Sequence, residues 1–486
     1  MVDTKGITIL GLGPGDPNLL TREAWQVLLE ADEVYLRTRQ HPTVTGFPND
    51  LTVHSFDDLY EAVEDFETVY TQIVEIVLEL GQRPEGVIYA VPGHPFVAEA
   101  TGPTIYSQAK TLNVPVRVVS GLSYIEPTLD VLGVDLLPQT SMVDAMDVMR
   151  MHHPLFPPSS PALIAQIYSQ KVAAEVKITL MALYPDEHEV KLVHAAGTKD
   201  GMVEDLLLHQ IDHSEHIGLL TSLYVPPLGE NTAFEDFQEL IAHLRAPEGC
   251  PWDREQTHQS LRPNLLEETY EVLEAIDADN APAMREEFGD LLLQIVLHAQ
   301  IAAEYGEFTM SNVIKDIHTK LVARHPHVFG DLELDEAGDV ALNWERIKSQ
   351  ERKENGQTNK GILDGVASDL PALAQAQAYQ DRAARVGFDW PEIADVLDKI
   401  SEEFEELRVA NGKDAYIEEF GDVLFVLVNY GRWKKIDVES TLRSANVKFK
   451  QRFAHIEQKA EAAGTQLKDM TLEEMDALWD EAKELP

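Results

Sequence analysis

Two short groups of carboxylates in the second half of the sequence are the residues best suited to chemistry. The first group comprises Glu267, Glu268, Glu271, Glu287 and Asp290. Its members lie in two apolar patterns with helical spacing, and residues three or four positions apart share one face of a helix. A short break at 278–282 allows the second helix to turn back against the first. Carboxylates gathered in this way favour Mg²⁺ or Mn²⁺, and Mg²⁺ commonly accompanies a phosphorylated substrate.

The same arrangement occurs a second time further along the chain. The acids of the second group are Glu402, Glu403, Glu406, Glu419 and Asp422. The pentapeptide EEFGD stands at 286–290 and again at 418–422. Each group is followed by two cations four residues apart and then by a tryptophan beside an acid: Lys320, Arg324, Trp344 and Glu345 in the first copy, Lys448, Arg452, Trp479 and Asp480 in the second. A lone acidic group on a helix is more often a solvated face, but this ordered repetition favours the duplication of a functional helical unit.

These motifs resemble those of the MazG-type nucleoside triphosphate pyrophosphohydrolases. Further matches are CPWD at 250–253, RHPHVF at 324–329 and VGFDW at 386–390. The resemblance covers about residues 232–486. It implies an all-α region that uses Mg²⁺ to convert a nucleoside triphosphate to the monophosphate and pyrophosphate, with both acid groups as metal ligands.

Roles for individual residues follow from the chemistry and from this resemblance. Glu268 and Glu403 are the candidate catalytic residues, either as metal ligands or as groups that activate water, and the sequence leaves both roles open. The paired cations would hold phosphate oxygens, and the resemblance implies that Trp344 or Trp479 stacks on the base. We expect the second copy to be the main nucleotide site, because Lys450 adds a cation there, whereas Pro326 should end the helix of Arg324.

The first half of the sequence alternates short apolar runs with helical patterns, which predicts an α/β domain. Strands are predicted at 7–12, 33–37, 87–91, 116–119, 162–167 and 218–225. Turns at 11–17, 92–96 and 120–124 follow three of them, and ligands of open α/β sheets bind at such carboxyl ends. The first turn is not a dinucleotide-binding loop, because Pro14 and Pro17 have no N–H to offer a pyrophosphate.

Together these segments resemble the tetrapyrrole (precorrin-like) methylase family. The matching segments are GLGPGDPNLLT at 11–21, VPGHPFVAEAT at 91–101 and VVSGLSYIEPTLDVLG at 118–133. The resemblance covers about residues 5–227 and implies that S-adenosylmethionine binds between two α/β lobes. Its implied contacts are Gly11, Gly13, Gly93, His94, Pro95 and Ser123. Many relatives have aspartate where this sequence has His94, so the resemblance implies cofactor binding more directly than methyl transfer.

The whole chain is therefore expected to be multidomain: an α/β two-lobed methylase-like domain at 1–228, followed by all-α MazG-like units at 232–355 and 362–486. The polar segments 226–231 and 354–361 mark the boundaries. This combination resembles the YabN-type family of fusion proteins. Two other readings stay open: a methyltransferase whose helical region is a scaffold, or a non-catalytic metal-dependent module that senses nucleotides.

Composition narrows the set of partners. The net charge of −45 opposes binding to nucleic acid and to anionic membranes. No apolar run reaches the roughly 20 residues of a membrane span, and Cys250 as the single cysteine excludes an intrachain disulfide. With no signal-peptide pattern at the start, we expect a cytoplasmic protein. Its partners should be nucleoside triphosphates and a second copy of the chain, because helices this apolar on one face must pair between the units or across a homodimer.

Overall fold

The structure is a computed structural model that describes residues 5–62, 65–332, 340, 343–344, 346–347, 351 and 361–484. The chain forms two compact units, Met1–Glu255 and Gln256–Pro486, which we describe separately. The expected boundaries at 228, 232, 355 and 362 stay predictions, and the expected linker at 354–361 lies outside the described residues except for Gly361.

The amino-terminal lobe of the first unit is built on a parallel sheet. Its strands are β1 (Ile7–Gly11), β2 (Glu33–Leu36), β3 (Thr52–Ser55), β4 (Val87–Val91) and β5 (Val116–Val119), in the order β3-β2-β4-β1-β5. Its helices are α1 (Arg22–Glu30), α2 (Asp57–Ala62), α3 (Phe66–Leu80), α4 (Thr101–Thr111) and α5 (Ile125–Leu132). Every strand pair is parallel, so all five strands end at one edge of the sheet, where the three predicted turns lie.

Burial on both faces explains the continuous apolar run of β1. Ile7 and Ile9 belong to one cluster with residues of α3 and α4, whereas Leu10 belongs to a second cluster with residues of α1. Both sides of a central parallel strand are covered in this way in doubly wound folds, so such strands do not alternate between apolar and polar residues.

The second lobe of the same unit has a mixed sheet. Its strands are β6 (Ser141–Asp144), β7 (Ala162–Ala165), β8 (Glu189–His194), β9 (Met202–Leu207) and β10 (Thr221–Val225), in the order β6-β7-β10-β8-β9. Only β6 and β7 pair in parallel among the described strands of this sheet. Helices α6 (Ala145–Val148) and α7 (Gln170–Met181) accompany it, and α8 (Phe234–Arg245) and α9 (Pro251–Glu255) complete the unit.

The first repeat of the helical unit is organised around two long helices. Its helices are α10 (Arg262–Asp277), α11 (Ala281–Glu304), α12 (Met310–Arg324) and α13 (Pro326–Phe329). Asn280 begins α11 by accepting a hydrogen bond from the Ala283 N–H at 3.3 Å, with Pro282 in the first turn. The break predicted at 278–282 is therefore confirmed, and α10 and α11 pack against each other. The predicted end of a helix at Arg324 is also confirmed.

The second repeat has the same central pair of helices. It contains α14 (Ala372–Arg385), α15 (Ile393–Val409), α16 (Lys413–Trp433), α17 (Val438–Ala462) and α18 (Leu472–Lys483). The repeats touch each other: the Arg443 guanidinium lies 4.5 Å from the Tyr270 ring centroid, and Arg262 forms an exposed ion pair with Asp369 at 3.2 Å. Across the described part of the chain, no helix combines the length and hydropathy that a membrane span requires.

Candidate functional site

The first carboxylate group lies between α10 and α11. One oxygen each of Glu268, Glu287 and Asp290 lies within 4.8 Å of the other two, and all three side chains are half-buried. Glu287 and Asp290 are one helical turn apart on α11, and Glu268 faces them from α10. Of the remaining acids predicted for this copy, Glu267 and Glu271 are exposed and lie outside the group.

Burial, together with mutual repulsion, raises the pKa of two carboxylates in this group. Burial raises the pKa of Glu268 above its ordinary value, and the charges of Asp290 and Glu271 and a hydrogen bond with Glu271 raise it further. Desolvation likewise raises the pKa of Glu287, followed by the charge of Glu271. A raised carboxylate pKa means that the ionised form is disfavoured, and a bound cation would remove that penalty.

The second carboxylate group lies between α15 and α16. It brings together one oxygen each of Glu403, Glu406 and Glu419, again within 4.8 Å of one another. Glu403 is only 6% exposed, and its Oε2 is buried without a hydrogen-bond partner. Asp422 is exposed and lies outside the group, but its charge contributes, after desolvation and Glu406, to the raised pKa of Glu419.

The two members of the Glu402–Glu403 pair differ in their surroundings. Glu402 is exposed and lies outside the group. The Lys399 Nζ donates to Glu402 Oε1 at 2.8 Å and is 2.9 Å from Glu403 Oε1. The hydrogen bonds to these carboxylates raise the pKa of Lys399 above its ordinary value. Sequence reasoning missed this lysine, although its place four residues before Glu403 puts both side chains on one helical face.

Both groups fit a hard divalent cation. Mg²⁺ binds oxygens at about 2.0–2.1 Å in octahedral geometry, which places ligands on opposite sides about 4 Å apart. The observed separation of at most 4.8 Å is close enough to be reached by side-chain rotation. A buried carboxylate oxygen without a partner, such as Glu403 Oε2, is costly unless a ligand satisfies it.

The paired cations of the two repeats have different partners. The Arg324 Nε lies 3.2 Å from both carboxylate oxygens of Glu351. The Arg452 guanidinium lies instead 5.5 Å from the Trp479 ring centroid. Among the described residues, no hydrogen bond or ion pair joins Lys320, Arg324, Lys448 or Arg452 to the carboxylate groups.

The two tryptophans lie against aromatic neighbours. Trp479 on α18 packs against Phe449 on α17, with ring centroids 5.2 Å apart. Trp344 lies 6.1 Å from the His325 ring, and its neighbour Glu345 lies outside the described residues. The structure therefore groups Trp479 with Arg452, as the order of the motif suggests, while both tryptophans make packing contacts of their own.

Three loops meet at the carboxyl edge of the parallel sheet. Gly13 and Gly93 are joined by two backbone hydrogen bonds, of 3.2 and 2.8 Å. Both have positive φ, +71° and +68°, a conformation that favours glycine. A Cβ on Gly11 would lie 2.5 Å from the backbone nitrogen of Gly121. Three of the segments quoted for the methylase resemblance are thus in direct backbone contact.

The other predicted cofactor contacts lie in the same loops. His94 Nδ1 accepts a hydrogen bond from the Phe96 N–H at 3.1 Å, and Pro95 is buried. The Ser123 hydroxyl donates to Glu126 Oε2 at 2.6 Å, so it is engaged by the first turn of α5. An ion pair that the sequence did not reveal supports the segment after His94: Arg37, at the end of β2, binds the buried carboxylate of Glu99.

The second lobe also reaches the first glycine loop. The Asp16 N–H donates to the Gly197 carbonyl at 2.8 Å, and a Cβ on Gly15 would lie 2.6 Å from the Thr198 methyl group. Sequence reasoning missed this contact between the β8–β9 connection and the glycine loop. The one signal was the run of small residues at 195–198.

Comparisons with known proteins agree with this architecture. Residues 6–212 match the family model for Tetrapyrrole (Corrin/Porphyrin) Methylases, and residues 256–329 match the model for the MazG nucleotide pyrophosphohydrolase domain. The uncharacterized protein YabN of Bacillus subtilis (strain 168) is 43% identical over 491 residues, or 98% of each chain. The nucleoside triphosphate pyrophosphohydrolase/pyrophosphatase MazG of Thermotoga maritima is 45% identical over 250 residues, 51% of this chain and 95% of that protein. The nucleoside triphosphate pyrophosphohydrolase of Escherichia coli (strain K12) is 42% identical over 250 residues, 50% of this chain and 94% of that protein.

Among solved structures, the uroporphyrin-III-C-methyltransferase of Thermus thermophilus covers 46% of this chain and 93% of its own, with 19% identity and a TM-score of 0.35. The predicted fold class, an α/β methylase-like domain followed by a largely helical MazG-type region, is confirmed. Given the identity to YabN along nearly the whole chain and the two family matches, the chain belongs to the YabN family, which fuses a tetrapyrrole methylase domain to a MazG-type nucleoside triphosphate pyrophosphohydrolase region.

Proposed function

We propose that the helical unit hydrolyses nucleoside triphosphates to nucleoside monophosphates and pyrophosphate with a divalent cation, Mg²⁺ or Mn²⁺. The observation that carries this proposal is the convergence of three carboxylates in each repeat. In the second repeat, Glu403 Oε2 is also buried without a hydrogen-bond partner. The similar proteins from Thermotoga maritima and Escherichia coli support the proposal, because both are named as nucleoside triphosphate pyrophosphohydrolases.

The chemistry divides between the metal and the residues of the chain. When bound, Mg²⁺ neutralises phosphate charge and helps to generate a nucleophilic water. Glu403, Glu406 and Glu419 would hold the cation in the second repeat, with Asp422 beside them. A carboxylate of the group accepts a proton from the attacking water, while the water oxygen forms a bond to the α-phosphorus. The link between the α and β phosphates breaks, and its electron pair leaves with pyrophosphate.

We assign the main site to the second repeat. The reason lies in the basic residues that follow each carboxylate group. Arg452 has no carboxylate partner among the described residues, whereas Arg324 is already paired with Glu351. An anionic phosphate therefore need not compete with a protein carboxylate for Arg452. Lys448, one turn earlier on α17, would share this role, and Trp479 would stack on the base.

The second proposed activity belongs to the amino-terminal unit. We propose that S-adenosylmethionine binds where the loops carrying Gly11, Gly13, Gly93, His94 and Ser123 meet. Close backbone packing at these glycines holds the loops together at the carboxyl edge of the sheet, which is where ligands of open α/β folds bind. Titration calorimetry of the whole chain with S-adenosylmethionine and with its demethylated product tests this. Saturable binding of either ligand supports the site, and heats no larger than dilution refute it.

We also propose that the chain works as a homodimer. The central helices α15 and α16 leave many large apolar side chains exposed. They are too numerous to be the singly scattered apolar residues found on ordinary protein surfaces. Those on α15 and α16 include Leu397, Phe404, Tyr416, Ile417, Phe420, Leu424 and Phe425. Helices with an uncovered apolar face commonly complete a four-helix arrangement with a second copy. Sedimentation equilibrium should give twice the chain mass, and a concentration-independent monomer would contradict the proposal.

One assay tests the principal activity. Pyrophosphate release from a panel of nucleoside triphosphates is measured with Mg²⁺, with Mn²⁺ and with chelator. We expect pyrophosphate and monophosphate in equal amounts, and none in chelator. Orthophosphate as the sole product, or activity that survives chelation, would refute the proposal. The double variant Glu287→Ala with Asp290→Ala, compared with Glu419→Ala with Asp422→Ala, then identifies the main repeat.

A further inference from the structure

The two carboxylate groups differ in one resident charge. Lys399 places its ammonium within 2.9 Å of Glu403 Oε1, and Glu403 belongs to the second group. No ion pair reaches Glu268, Glu287 or Asp290 among the residues that the structure describes. The second group is therefore partly neutralised by the protein itself.

The internal duplication identifies the corresponding residue of the first repeat. When Glu267 and Glu268 are matched with Glu402 and Glu403, Lys399 corresponds to Asn264. Asn264 lies in the first turn of α10 and is half-buried. An uncharged amide cannot form the ion pair that Lys399 forms, so the difference between the repeats is built into the sequence at a single position.

We infer that Lys399 acts as the resident cation of the second carboxylate group, and that a divalent metal binds there only by displacing its ammonium from Glu403. This inference rests on the proposed metal-dependent function. The first group, which has no such competitor, takes up metal at a lower concentration. The two repeats are thus two unequal metal sites, and Lys399 sets the metal concentration at which the second one fills.

Metal binding at the second group would exchange one positive charge for another. Glu403 uses Oε1 for Lys399, while its Oε2 is buried without a partner. A metal that takes both Glu403 and Glu419 as ligands must compete with a positive charge held less than 3 Å from the first of them. The Lys399 ammonium would lie a few ångströms from a dication in a largely solvated site. Removing this one unit of charge should raise the affinity of the second group for the metal by about tenfold.

Binding of Mn²⁺ to the whole chain, followed by the electron paramagnetic resonance signal of the free ion, tests the inference without relying on activity. We expect wild-type protein to show two classes of site. Lys399→Asn should tighten the weaker class by about tenfold, and Asn264→Lys should weaken the tighter class. Lys399→Gln serves as a second variant if Lys399→Asn unfolds, as judged by circular dichroism.

Lys483→Asn is the matched control, since it removes an exposed lysine that pairs with Asp480 at 2.7 Å outside both groups. It should leave both classes unchanged. Two classes of site that do not respond to the change at Lys399 would overturn this inference and leave the proposed function intact. No saturable Mn²⁺ binding in any variant would overturn both.

Discussion

Replacing Glu403 with glutamine should abolish most nucleotide hydrolysis while leaving the metal-free protein at least as stable as the parent. Glu403→Gln keeps the size of the side chain and removes its charge. If the carboxylate stabilised the fold, the variant would be less stable than the parent. If it serves only to bind metal, the variant should lose activity and keep its stability. The opposite signs of the two effects make the variant informative.

The expected size of the stability effect follows from the contacts of Glu403. Its ion pair with Lys399, whose side chain is one-third exposed, contributes about 0–1 kcal/mol. Its other oxygen is buried without a partner, and a charged group in that state costs more than the uncharged amide that would replace it. Loss of the charge also removes repulsion with Glu406 and Glu419. We expect a net stabilisation of about 1 kcal/mol, which raises the Tm of a helical unit of this size by about 2–4 °C.

The effect on turnover should be much larger. Changing a group that only supports a metal ligand costs about 10–100-fold in affinity or activity, so loss of a ligand should cost about a hundredfold or more. Pyrophosphate release measures turnover, and circular dichroism in chelator measures the Tm. Glu405→Gln is the matched control, because Glu405 is an exposed acid on the same helix that pairs with Arg408 at 2.9 Å.

Two results would refute this reasoning. A fall of several degrees in the Tm of metal-free Glu403→Gln would show that the carboxylate stabilises the fold. Turnover equal to that of the Glu405→Gln control would show that Glu403 has no part in the reaction.

Three further predictions can be checked with the same preparations. Removing Glu419 and Asp422 together should abolish most pyrophosphate release, whereas removing the corresponding acids of the first repeat should leave a substantial part; equal losses would mean two equivalent sites or one composite site. The pKa values of Glu268, Glu287 and Glu419 are raised above the ordinary value of 4.5, so the metal-free protein should lose stability as the pH rises above about 4.5. The gain in Tm from Mg²⁺ should grow in the same pH range, and a gain independent of pH would contradict this. Gly11→Ala should abolish binding of S-adenosylmethionine in calorimetry because its Cβ would meet the Gly121 backbone, whereas Gly218→Ala, which has open space, should bind normally; unchanged binding by Gly11→Ala would place the cofactor elsewhere.

Local patterns in the sequence indicated the fold class, but they did not predict the strands β3, β6, β8 and β9. The predicted strands at 87–91 and 116–119 match β4 and β5, and the break at 278–282 separates α10 from α11. These features depend on periodicity and on residues such as Pro282 that act on their immediate neighbours. The duplicated acids likewise indicated two similar carboxylate groups, because residue type and spacing are properties of the chain itself.

The tertiary structure decided which side chains converge. In each Glu-Glu pair the second residue, Glu268 or Glu403, enters the carboxylate group, and the first lies outside it. Neighbouring positions on a helix differ by about 100° in direction, so only the packing of the partner helix selects between them. Contacts between distant segments, such as Asp16 with Gly197, could not be predicted either, since they join lobes that are far apart in the sequence. The sequence contained the carboxylates, but the packing of α10 on α11 and of α15 on α16 determined which of them lie within 4.8 Å of one another.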